Sequence, residues 1–403
     1  MSQASNWFFF TVLLLLGMGT VMVFSASTVS AAFDPKFGSA MHFAIRHMSF
    51  AAIGIAVALV LARIDYHILQ RFAIPLYAGT LVMLVAVMAI GVGANQAQRW
   101  IELGPIRFQP SEFAKFTVVV CCAAFAAQQR EQLKTFKQGL VRAGLMIAPI
   151  AGLILIQPDL GTALFVGTLG FVVLVAGGLR VKYLLIIGAC LIPVVLIAFF
   201  AFGHVQDRIL VFLDPAADRL GKGHQIYQSL IAVGSGGFWG QGLGDSTQKL
   251  FFLPEEHTDF IFAILVEELG FVGGGFVILL FAALVYFGAR ISRHAPDRFG
   301  ALLALGFTAG IALQAAMNIA VVTSSVPTKG ISLPFISFGG SGLVAALAGV
   351  GVVLNIARQG VARESVLTLH GREAADEAIS DRLTRVSIQS QSPEPGGSSR
   401  QAA

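Results

Sequence analysis

Ten runs of this chain, each of 17 residues or more, are apolar and long enough to cross about 30 Å of hydrocarbon. They lie near 7–29, 45–62, 73–93, 110–127, 141–157, 161–178, 183–203, 259–289, 300–324 and 341–357. So many crossings leave few alternatives, and the expected fold is an all-α polytopic membrane protein of about ten transmembrane helices. The composition agrees: 56% of residues are hydrophobic and only 12% are charged, about half the charged share of a soluble protein. The first run lacks a basic leader and is longer than the apolar core of a usual signal peptide, so it reads as an uncleaved span.

Loop charge sets the orientation. One set of short loops carries Arg63 and Arg71, then Arg130, Lys134, Lys137 and Arg142, then Arg180 and Lys182, then Arg290, Arg293 and Arg298. That set is expected to be cytoplasmic, and an even number of crossings puts both termini with it. The connection between the seventh and eighth runs, 204–258, is the longest and then faces outward. The transmembrane domain is expected over 1–357. Residues 358–403, which include "QSQSPEPGGSSRQAA", read as a disordered cytoplasmic tail. The net charge of +5 is explained by basic loops beside anionic lipid, and no tract suggests a nucleic-acid groove. Cys121, Cys122 and Cys190 have no CxxC partner and read as small buried or lipid-facing residues rather than a redox or metal site. Gly270 and Gly274 form a G-x-x-x-G in the eighth run, whose plain reading is close helix packing.

Four polar clusters fall on the outward side, and several of their charges run against the topological bias. The first, "RFQPSEFAK", has Pro110 at a helix start, with Arg107 before it and Lys115 more than a turn inside it. An intramembrane lysine is a functional candidate by default. The second, "QPDLGTA", joins two spans with almost no loop; Asp159 is a turn residue or faces a shared cavity. The third, "GSGGFWGQGLGDSTQKLFFLPEEHTDFIFAILVEELG", holds Lys249, Glu256, His257 and Asp259, then Glu267 and Glu268 deep in an apolar run. Its glycines allow backbone to approach a ligand closely. On an idealised helix Glu256, Asp259 and Glu267 share one broad side, although Asp259 also fits a helix cap. The fourth, "PTKGISLPFISFGGSG", has too many prolines and glycines for a continuous helix. It reads as a cavity-lining loop that presents Lys329 and Ser337.

Together these clusters suggest an outward cavity with carboxylates and several cations. Lys and Arg suit a phosphate or pyrophosphate, apolar spans suit a lipid tail, and a carboxylate of suitable pKa can take a proton from a hydroxyl. Residue chemistry alone leaves two readings open: an enzyme acting on a polyprenyl-pyrophosphate sugar, or a transporter of one.

These four motifs, in this order and over about 1–360, resemble the SEDS family (shape, elongation, division and sporulation). "DSTQKLFFLPEEHTDFIFA" and "PTKG" resemble its division branch more than its elongation branch. The resemblance implies a peptidoglycan glycosyltransferase that polymerises lipid II in the bacterial inner membrane at the division septum. Asp259 would be the general base in an inverting transfer, with undecaprenyl pyrophosphate leaving. Arg107 and Lys115 map to the family's basic pair around "QPSE" and would meet lipid II pyrophosphate or set the cavity's electrostatics. Lys249, Glu256, His257, Lys329 and Ser337 would also contact substrate. No cofactor is certain, although a divalent cation, Mg or Mn, would suit the leaving group. The implied partners are a class B penicillin-binding protein, an FtsI-like transpeptidase, and other divisome membrane proteins. A lipid II flippase and an elongation-type polymerase are the alternatives. The last motif departs from the family's "PLPFISYGGSS": Ser332, Phe338 and Gly342 stand where Pro, Tyr and Ser are usual.

Overall fold

The computed structural model describes residues 3–33, 39–93, 98–104, 106–201, 203–221, 223–250 and 252–363. Helices occupy all ten expected positions. They are α1 (Gln3–Phe33), α2 (His42–Leu61), the short α3 (His67–Arg71), α4 (Ala73–Ile90), α5 (Pro110–Gln128), α6 (Arg142–Ile156), α7 (Leu160–Ala176) and α8 (Tyr183–Ala201). They continue with α9 (Gly203–Leu213), α10 (His224–Ser235), α11 (Ile261–Arg293), α12 (Arg298–Val322) and α13 (Gly340–Arg363). Among the described residues eight helices meet the length and hydropathy of a membrane span, and α7 is a shorter apolar helix. The last helix runs to Arg363, six residues past the expected bound at 357; the rest of the anticipated tail, 364–403, lies outside the described residues.

Local chemistry explains several helix starts. Pro110 occupies the first turn of α5, where its missing N–H costs nothing. Asp159 caps α7 by accepting from the Thr162 N–H, and Asp297 caps α12 by accepting from the Gly300 N–H. The centre of the bundle is α5, α7, α11 and α12, with α1 laid against α11. The small side chains of "VVVCCAA" on α5, including Cys121 and Cys122, are buried there, which lets neighbouring backbones come close. The side chain of Cys190 lies outside the described residues. Outer helices instead turn large apolar groups outward, such as Ile74 (81% exposed) and Leu185 (78%), as a lipid-facing surface requires.

Two features depart from the sequence reading. An antiparallel hairpin, β1 (Ile101–Leu103) and β2 (Ile106–Phe108), interrupts the all-α pattern just before α5 and pairs Glu102 with Arg107. The long 204–258 connection is mostly organised, since α9 and α10 lie within it and α10 packs on α11.

The G-x-x-x-G reading of α11 is corrected at its first glycine. Gly270 has φ of 67° and ψ of −169°, so it breaks the helix rather than packing it against a neighbour. The glycine-rich segment 236–242 lies in that break. Gln241 and Gly242 N–H groups donate to the Glu267 and Glu268 carbonyls at 3.0 Å each, and the Phe271 N–H donates to Gly237 O at 2.9 Å. A Cβ on Gly270 would stand 2.3 Å from the Gly240 nitrogen, so any other residue is excluded by contact as well as by φ. The glycines expected to let backbone approach a ligand thus let it approach a helix.

Candidate active site

A cavity of about 1750 Å³ opens at the end of the bundle where α5, α7, α11 and α13 begin. It exceeds a usual small-molecule site, roughly 300–1,000 Å³. Asp259 lies on its wall in the turn before α11. That helix starts at Ile261, so Glu256 and Asp259 do not continue its face as the idealised wheel suggested.

The turn that bears Asp259 is held by three consecutive carbonyls. Phe338 N–H donates to His257 O (3.0 Å), Ser337 Oγ to Thr258 O (2.6 Å), and Asn318 Nδ2 to Asp259 O (2.7 Å). Asn318 Nδ2 also donates to Ile331 O (2.8 Å), and Gln314, one turn earlier on α12, donates to Ser332 O (2.9 Å). One face of α12 therefore clamps the 327–339 loop and the Asp259 turn together. Gly330 lies against the carboxylate: a Cβ there would come 3.1 Å from Asp259 Oδ2. Burial pushes the Asp259 carboxyl up to about 7, and the Glu255 and Asp159 carboxylates add to the rise while His257 and Arg208 oppose it.

The other expected residues separate into two groups. Arg107, Lys115, His257 and Lys329 line the same cavity as Asp259. Arg107 is exposed on β2 and pairs with Glu102 at 2.8 Å. Lys115 pairs with Glu112 at 2.7 Å and donates to Gln314 Oε1 at 2.9 Å. The His257 ring stacks near Phe43 and Phe338, with centroids 4.4 and 5.9 Å away. Phe338, which lacks the hydroxyl usual at its position, serves here through its ring and its N–H.

Lys249, Glu256 and Ser337 do not line the cavity, and their expected substrate contacts are corrected. Lys249 is buried and its ammonium is committed to Glu268 (2.9 Å), Ser25 (3.4 Å) and the Gly244 carbonyl. Glu256 is buried, bonded to Ser30 on α1 and 3.6 Å from His257 Nδ1. Ser337 is 3% exposed, and its hydroxyl is used by Thr258 O and by the Leu333 N–H (2.7 Å). Glu267 also faces away from the cavity. It accepts from Ser246 Oγ (2.5 Å) and from Thr247 N–H and Oγ1 (3.0 and 2.8 Å). The two deep glutamates have partners, as burial demands, and those partners fasten the 244–250 segment to α11 and α1.

Several wall residues were not named as site residues. Asp159 both caps α7 and faces the cavity, with Arg99 Nη1 at 3.9 Å. Arg208 lies on α9 and also lines the wall. Asn318 and Gln314 carried a readable signal, since two amides four apart in an apolar run mark one polar face. Arg208 belongs to none of the four motifs; only its place in the outward 204–258 connection hints at it.

Residues 6–361 match the family model described as "Cell cycle protein", built on FtsW, RodA and SpoVE. A protein of Geobacter sp. (strain M18) named "Probable peptidoglycan glycosyltransferase FtsW" is 41% identical over 345 residues, covering 85% of this chain and 94% of that protein. "Stage V sporulation protein E" of Bacillus subtilis (strain 168) is 42% identical over 349 residues, covering 86% and 94%. Among solved structures, one chain of a peptidoglycan synthase complex, described as structurally coordinating polymerization and crosslinking, superposes with a TM-score of 0.72 at 29% identity over 88% of this chain and 97% of that one. The rod shape determining protein RodA of Thermus thermophilus gives 0.63 at 29% identity over 87% and 95%. With helices at the ten expected positions among the described residues, residues of all four motifs on one cavity, and the family model matched over 6–361, the chain belongs to the SEDS family of membrane-embedded cell cycle proteins.

Proposed function

We propose that this chain is a peptidoglycan glycosyltransferase that polymerises lipid II, with Asp259 as general base. The observation that carries the reading is a carboxyl raised to about 7 on the wall of a large cavity lined by cations. A base poised near the working pH is half in the form that accepts a proton. The names of the relatives support the reaction class.

In the proposed step Asp259 takes the proton of the acceptor sugar's 4-hydroxyl. That oxygen bonds to the donor's anomeric carbon from the face opposite the diphosphate. The anomeric carbon–oxygen bond breaks, its electron pair leaves with the polyprenyl diphosphate, and the centre inverts. The 257–259 carbonyl bonds hold the base in place, which removes part of the orientational cost. Among the described residues there is no group of three or more His, Cys, Asp or Glu side chains placed to hold a metal ion. A Mg²⁺ or Mn²⁺ here would therefore draw part of its ligand set from the substrate's diphosphate.

The membrane is proposed to be the bacterial inner membrane at the septum, with the cavity end outward and both termini cytoplasmic. The loop charges support that orientation. A class B penicillin-binding protein of the FtsI-like transpeptidase type is the proposed partner, alongside other divisome membrane proteins. The test is purified protein with labelled lipid II and that partner: glycan strands from the wild type, none from Asp259→Asn. Polymer from the mutant at the wild-type rate would defeat the assignment. Transbilayer movement of lipid II without glycan would point to a flippase.

A further inference from the structure

The cations of the cavity are not equivalent. Arg107 is neutralised by Glu102 at 2.8 Å and Lys115 by Glu112 at 2.7 Å. Arg99 is shared between Asp159 at 3.9 Å and the carbonyls of Gln157 and Pro158. Among the described residues, Arg208 and Lys329 have no carboxylate within 4.0 Å. Each is nevertheless close enough to Asp159 to feel its charge; Arg208 acts against the charge of Lys329, and Arg99 against that of Arg208. Burial, then the Arg208 charge, pulls Lys329 below the usual ammonium range.

Two chain elements bring these cations to the base. Lys329 precedes Gly330, which abuts the Asp259 carboxylate, and its stem packs on Gly161 at the start of α7, 3.4 Å from where a Cβ would be. Arg208 comes from α9, where it lines the cavity with Asp207 beside it and Val211 one turn on. Arg208 is also felt by Asp259 itself. Two like charges on the wall that bears Asp259, with no carboxylate paired to either among the described residues, suit an anion. The anion must carry more than one negative charge to satisfy both. A guanidinium fork beside an ammonium suits phosphate oxygens.

We propose that Arg208 and Lys329 form the diphosphate subsite of the donor, and that the Arg107–Glu102 and Lys115–Glu112 pairs shape the wall without holding the leaving group. This deepens the glycosyltransferase reading and rests on it for the identity of the donor. In an inverting displacement the base sits by the incoming hydroxyl and the leaving diphosphate lies beyond the anomeric carbon. The leaving-group cations should therefore be near the base without being bonded to it. As the carbon–oxygen bond breaks, charge accumulates on the diphosphate, and two cations on that wall would stabilise it in the transition state more than in the ground state. Because Arg208 arrives on α9, the seventh-to-eighth connection supplies part of the site.

The test separates binding from turnover. It uses full-length Asp259→Asn protein, which binds without reacting, and two probes: inorganic pyrophosphate and a short-chain polyprenyl diphosphate. Affinity is read by ³¹P line broadening and by thermal shift. Arg208→Gln and Lys329→Gln, each placed in that background, should weaken both probes by about tenfold or more. Arg208→Lys should lose less, and Arg107→Gln should stay within about twofold. If only the polyprenyl probe responds, the site reads the lipid-linked diphosphate rather than free phosphate, and the proposal stands in that form. Unchanged affinity for both probes in Arg208→Gln, with the protein folded by its melting transition, would overturn it. So would a loss at Arg107→Gln equal to that at Arg208→Gln. Neither result bears on whether Asp259 is the base, which the polymerisation assay decides separately.

Discussion

The raised carboxyl of Asp259 makes a quantitative prediction about pH. In the proposed reaction only the ionised form can accept the hydroxyl proton, and burial pushes this carboxyl up to about 7. For a single site, the ionised fraction falls from roughly ten-elevenths to one-eleventh between one pH unit above the pKa and one below, about tenfold. The rate at low substrate, kcat/KM, should fall by that factor between pH 8 and pH 6. Burial is the largest cause of the rise and Glu255 the largest charge acting with it. Glu255→Gln should therefore move the acid limb to lower pH, by roughly half a unit because Glu255 is exposed and screened, and by less in high salt. The assay is the initial rate of labelled lipid II polymerisation at sub-saturating substrate, with the proposed transpeptidase present, across pH 5.5 to 8.5 as assay settings of about that range. A profile flat from pH 6 to pH 8, or a limb unmoved by Glu255→Gln at low salt, would refute the reasoning. Stability should show the opposite sign. A carboxyl whose folded pKa is raised contributes fully below its unfolded value, and that contribution is lost as pH rises through about 7. Asp259→Asn should thus melt higher than the wild type at pH 8 and no higher at pH 4.

Other perturbations follow from the same contacts. Glu268→Ala leaves the Lys249 ammonium buried and unpaired, and should cost about 3–5 kcal/mol in unfolding in detergent, with Lys249→Met/Glu268→Leu recovering much of it. Asn318→Leu removes both donors that hold Asp259 O and Ile331 O. It should lower kcat more than it raises KM, and destabilise by about 2 kcal/mol or more. Gly270→Ala has neither the φ nor the space it needs, and should abolish expression of folded protein, read by size-exclusion in detergent.

The membrane architecture was legible because each run of apolar residues has one solution in lipid. The site was legible by region and only partly by residue. Asp259, Arg107, Lys115, His257 and Lys329 reach one cavity because their motifs sit at helix starts, where sequence position and depth coincide. Lys249, Glu256 and Ser337 have the same residue chemistry and equally suggestive neighbours. What separates them is which way an irregular turn faces, and that depends on distant partners: Glu268, Ser30 and the Thr258 carbonyl. The break in α11 was hidden for a related reason. A glycine inside an apolar run fits close packing and fits a break, and only the arrival of 236–242 decides between them.

That break divides α11 mechanically. The stretch from Ile261 to Leu269 is a short strut, fixed above by the carbonyl bonds of the Asp259 turn and below by the rungs to Gln241 and Gly242. The longer rod beyond it, Phe271 to Arg293, turns exposed apolar side chains such as Phe271 and Leu279 outward. Because 236–242 donates to carbonyls before the break and accepts from the Phe271 and Val272 N–H groups after it, it splints the two parts of α11, and the direction in which the strut carries the Asp259 turn is set by that splint rather than by a continuous helix.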